Sequence, residues 1–217
     1  MKILKKFFLL APLVMILMVL TAPSASAVTV SYNLTSDHCT GAGGCGPAGT
    51  VFGVVTLTQN GTTVDVTVTL NAPFVYAKTG AVDFLAFKFN ATGIVLGDVS
   101  VDQTWAGETL TAVAGVFDGD GTGDFFFGIK CDTCGNGISL ISSPISFHVA
   151  NATIADLTAA NADGNVFVAD IGNPITGRTG PIDATVPNPP VVPEPSTLLL
   201  LGFAMAGLGL AKRTLVV

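Results

Sequence analysis

Asp118, Asp120, Thr122 and Asp124 put side-chain oxygens at alternate places of Asp118-Gly119-Asp120-Gly121-Thr122-Gly123-Asp124. Hard divalent cations take oxygen ligands at such spacing, and a glycine in the sixth place permits the sharp bend of a calcium loop. The twelfth place holds Ile129, where the bidentate glutamate of an EF-hand belongs, so that class is excluded. A looser calcium turn between strands stays open. The plainer reading, which we prefer, is a Gly/Asp hairpin turn joining Val116-Phe117 to Phe125-Phe126. No other cofactor is expected.

Four cysteines offer sulfur chemistry: Cys39, Cys45, Cys131 and Cys134. In an exported chain the simplest reading is two local disulfides, Cys39–Cys45 and Cys131–Cys134. The other two connectivities stay open on spacing alone, as does a four-thiolate zinc site with His38 nearby. A thioredoxin-like redox role is disfavoured, because Cys131-x-x-Cys134 follows a Phe-rich strand and runs into Gly135 rather than opening a helix. Gly41-x-Gly43-x-x-Gly46 matches a dinucleotide fingerprint in letters only. Pro47 and a strand follow it, where the pyrophosphate needs a helix N-terminus.

Acid–base catalysis has few candidates. His38 sits in the cysteine loop, and His148 alternates with Phe147 and Val149 as an outward-facing strand residue. Glu108 is the only glutamate before residue 194. Neither G-x-S-x-G nor H-E-x-x-H occurs. The expectation is a non-enzyme. A secreted hydrolase built on two aspartates is the third reading, since carboxylate pairs leave no local signature. A sugar-binding module would need an exposed aromatic platform, for which Trp105, Tyr32 and Tyr76 are the candidates; Trp105 reads equally well as a core plug.

The elements that must position these groups are strands. Val, Thr and Gly are abundant in residues 28–185, and Phe and Asn recur. Val30, Tyr32 and Leu34 alternate with polar partners. Thr50–Thr58 and Thr62–Leu70 flank Asn60-Gly61, a strong signal for a tight primed turn. Further strands are expected at Leu85–Phe89, Ile94–Val101, Leu110–Phe117, Phe125–Ile129, Ile145–Val149 and Val166–Ile171, with a short helix over Thr153–Ala160. Strands at this spacing predict an all-β fold, a β-sandwich of antiparallel strands.

Both ends differ from this composition. Lys2, Lys5 and Lys6, then apolar residues 7–20, then Ala25-Ser26-Ala27 have the order of a signal peptide, so the mature chain is expected to begin at Val28. Prolines 187, 189 and 190 stiffen a linker over 186–195. Residues 196–211 carry no charge and make a helix of about 24 Å, short of a hydrocarbon core of about 30 Å. Lys212 and Arg213 favour keeping that end in the cytoplasm. The expected division is therefore 1–27 signal peptide, 28–185 β domain, 186–195 linker and 196–217 hydrophobic helix with a basic end. Between Val28 and Pro195 lie fifteen acidic and four basic residues, a net charge of −11. Phosphate backbones would repel such a surface, so nucleic acid is not an expected partner.

Val192-Pro193-Glu194-Pro195-Ser196-Thr197, the leucines 198–201, the Gly/Ala-rich run 202–209 and Lys212-Arg213 together resemble the PEP-CTERM sorting signal of Gram-negative bacteria. The basic end is shorter than the family's usual arginine cluster. The resemblance implies export and transient membrane anchoring by the C-terminal helix. It further implies processing by an exosortase, a membrane protease, and a final place at the cell surface or in an extracellular matrix containing exopolysaccharide. Phe117–Phe125, Cys131–Gly135, Ile145–Val149, Phe167–Ile171 and Thr176–Gly180 are also similar to domains that often precede this signal, which implies a fold and no activity. The expected role is structural or adhesive; a carbohydrate- or calcium-dependent binding module is the alternative.

Overall fold

The computed structural model describes residues 27–78, 85–102, 105, 107–135, 137–138 and 144–185. The expected signal peptide, linker, C-terminal helix and the motif residues Val192, Pro193, Glu194, Pro195, Ser196, Lys212 and Arg213 lie outside the described residues, but for the last residue of the signal, Ala27.

Alternation builds the first sheet. In β1 (Thr29–Leu34), β4 (Thr63–Leu70) and β11 (Ile145–Ala150) every second residue is buried, as it is in β3 (Gly53–Asn60) from Gly53 to Leu57. With β7 (Val99–Val101) they form an antiparallel sheet in the order β1-β3-β4-β11-β7. Asn60 pairs with Thr63, leaving a two-residue turn in which Gly61 has φ 63°. A positive φ at the first central position is what glycine supplies without a Cβ clash.

The second sheet centres on β12 (Asn165–Asn173), which is buried throughout. One edge of β12 pairs with β13 (Arg178–Thr185), which in turn pairs with the short β2 (Ser36–Asp37). The other edge pairs end to end with β6 (Leu85–Phe89) and β5 (Val75–Lys78). β9 (Asp124–Cys131) and β8 (Leu110–Asp118) extend the sheet beyond β6, and β10 (Gly137–Ile138) extends it beyond β5.

Aromatic rings join the two sheets. Phe147 of the first stacks with Phe89 of the second at 5.2 Å between centroids and lies tilted against Phe87 at 6.0 Å, and Tyr32 meets Phe167 edge-on at 5.1 Å. The all-β expectation therefore stands, with two antiparallel sheets sharing one apolar core.

Three local expectations need correction. Ile94–Val101 is not one strand. Leu96–Asp98 forms a 3-10 turn because the Asp98 carboxylate accepts the Val95 N–H, and only Val99–Val101 extends. The helix over Thr153–Ala160 shrinks to α1 (Ile154–Leu157), capped by Asp156 accepting from the Thr153 N–H. β13 was not anticipated, since it contains Pro181. The Pro181 carbonyl accepts from His38 N, so its missing N–H faces the β2 side and leaves the pairing with β12 intact.

Candidate functional site

The two cysteine pairs are closed locally: Cys39–Cys45 with Cα atoms 5.4 Å apart, and Cys131–Cys134 at 5.5 Å. Asp37 organises the first loop. Its carboxylate accepts the N–H groups of Cys39, Cys45 and Gly46 at 2.9, 2.8 and 3.2 Å. Arg178 Nη1 donates to the Gly44 carbonyl and Asn173 Nδ2 to that of Cys45, both at 2.7 Å, docking the loop on the β12–β13 hairpin. Around the second bridge the Thr133 hydroxyl donates to Glu108 and accepts from the Thr109 N–H. Asp37 and Glu108 thus each stand beside a cysteine pair. The sulfurs are bonded to each other and supply no thiolate, so the four-thiolate zinc alternative is withdrawn.

The turn from Asp118 to Asp124 joins β8 to β9. Asp118 Oδ1 accepts from Asp120 N at 2.8 Å, and Gly119 N donates to the Gly123 carbonyl at 2.9 Å. Thr122 is fully buried, and its hydroxyl donates to the Gly119 carbonyl at 2.8 Å. Asn161 and Asn165 clamp the turn from outside, each donating a side-chain N–H to the Thr122 carbonyl. Among the described residues, Asp118, Asp120 and Asp124 do not form a converging set of carboxylates. Thr122 points its oxygen inward. The geometry is that of a pinned hairpin turn.

Ser36 Oγ and Asp183 Oδ2 both lie on Nε2 of His38, at 3.0 and 2.8 Å. A nucleophile triad needs its serine and its carboxylate on opposite ring nitrogens, so this trio does not have that arrangement. Burial raises the Asp183 carboxyl above its usual range, while His38 and Ser36 partly offset the rise. His148 faces outward, with Nδ1 2.5 Å from Asp102 Oδ1.

The aromatic candidates for a sugar platform are buried, which corrects that expectation. Trp105 is 2% exposed, stacks on Tyr76 at 4.9 Å and donates its indole N–H to the Pro144 carbonyl. Tyr76 donates its hydroxyl to the Val68 carbonyl across the core, and burial pushes its pKa up. Tyr32 lies against Phe167.

Two features were missed. Lys88 and Asp170 form an ion pair at 3.1 Å with both side chains 1% exposed. Phe126 stands 52% exposed between the buried Phe125 and Phe127. The run of three Phe in a strand carried the signal for Phe126, because the middle ring must face away from its neighbours.

The fold and its stapled loops define an acidic, disulfide-bonded all-β protein. Residues 191–213 match the family model of the PEP-CTERM protein-sorting motif. The chain therefore carries that motif, and Val192, Pro193, Glu194, Pro195, Ser196, Lys212 and Arg213 all fall inside the match. The motif marks an exported protein handled by an exosortase at the membrane. Comparison with curated proteins and with solved structures gave no match.

Proposed function

We propose that this exported protein has a structural or adhesive role at the cell surface or in the extracellular matrix, in association with exopolysaccharide. The observation that carries the reading is the sorting motif at residues 191–213, which follows a disulfide-bonded β domain. Two bridges and no free cysteine suit an oxidising compartment outside the cytoplasm. A catalytic role is not part of this reading.

The test is the intact mass of the protein recovered from surface, matrix and membrane fractions of its host, before and after reduction. The expected species begins at Val28, lacks the C-terminal hydrophobic segment and lies in the surface or matrix fraction. Reduction should add about two mass units per bridge. A chain running intact to Val217 and held in the membrane would overturn the reading.

A further inference from the structure

The β8–β9 turn and the loop following α1 enclose an open groove of about 590 Å3. Phe126 forms one wall; Asn90, Thr92, Asp124, Asn161 and Asp163 supply the polar groups around it. The walls are held before any ligand arrives. Asn90 Oδ1 accepts the Phe126 N–H at 3.0 Å, fixing the strand under the ring. Asn161 donates to the Thr122 carbonyl and accepts from Asp163 N and Asn165 N, tying the loop to the turn. Gly123 lets the two sides approach: a Cβ there would lie 2.5 Å from Asp163 Oδ2 and 2.6 Å from Asn161 Nδ2, and its φ of +86° strongly favours glycine.

An exposed ring beside amide, hydroxyl and carboxylate groups matches the two-sided chemistry of a pyranose, which offers a C–H face and a rim of hydroxyls. The charge narrows the class further. The groove lining includes two aspartates and no cation, on a β domain, 28–185, of net charge −10. Uronate or sulfate groups would meet repulsion there, whereas neutral sugars would not and amino sugars would be attracted. The geometry points to this groove as a binding site for a polysaccharide without acidic groups, with Phe126 as its stacking platform. The inference rests on the exopolysaccharide-associated role proposed above and names the kind of polymer.

Protein purified from its host is titrated with cellohexaose, with a chitosan hexamer and with an oligouronate, and is co-sedimented with the host's own polymer. Wild type binds the neutral and amino oligomers and leaves the oligouronate alone. Phe126→Ala binds about tenfold more weakly with an unchanged melting temperature, and Phe126→Tyr restores binding. Phe126→Ala binding as tightly as wild type, a preference for the oligouronate, or no binding of either uncharged or amino oligomer would overturn the assignment. If wild type and Phe126→Ala sediment equally with the host polymer, the groove assignment falls and the matrix role stands. If wild type does not sediment at all, the matrix role falls, and the oligomer titrations judge the groove by themselves.

Discussion

Asp183 shows how position rewrites the behaviour of a common side chain. Its carboxylate is 2% exposed in the second sheet and meets His38 at 2.8 Å. Burial raises its pKa above the ordinary 3.8, so the native chain holds the proton more tightly than the unfolded chain does. Its stabilising contribution is therefore fully present below 3.8 and is lost as pH rises through the higher folded value. Asp183→Asn removes the titration. Urea unfolding across pH 3 to 8 should find wild type losing stability relative to the variant through that window, with plateaus on either side. A difference that does not change with pH would contradict the role given to burial. His148, by contrast, behaves as its alternation with Phe147 and Val149 indicated: it faces outward, against Asp102.

Asn161 ties its own loop together and, with Asn165, holds that loop to the β8–β9 turn. Asn161 contributes three hydrogen bonds, to the Thr122 carbonyl and from the N–H groups of Asp163 and Asn165. Asn161→Ala leaves the half-buried loop without those partners and should cost about 1–3 kcal/mol of stability. Hydrogen exchange should rise at residues 119–124 and 163–165 and not in β3 or β4. Uniform loss of protection would mean that the loop has no separate anchoring role. At this scale the Asn60-Gly61 hairpin was legible because its geometry is local. β13 was not, since a strand with glycine and proline at 180–181 is held by β12 on one side and β2 on the other.

The domain combines a large aromatic core with two short staples. Closing loops this short restricts the unfolded chain modestly, by about 2 kcal/mol per bridge. The ring contacts across the sheets, Phe147 with Phe87 and Phe89, involve neither bridge, although all four cysteines pack in the same core. Reduced and alkylated protein should keep its β-type circular dichroism while its denaturation midpoint falls. Loss of the β signal on reduction would show that the bridges are required for folding.

What the residues alone determined is what travels along the chain. A period of two identified most of the strands, cysteines six and three residues apart suggested their own bridges, and the run from Val192 to Arg213 carried its sorting signal in linear order. The tertiary structure decided what lies between distant segments. Period two says that neighbouring side chains face opposite ways, but not which face meets the other sheet. Trp105 accordingly entered the core while Phe126 took the surface. Lys88 met Asp170 across 82 positions and His38 met Asp183 across 145. Such contacts arise from strand order and register, and burial of the apolar faces of both sheets selects the register for the whole molecule at once.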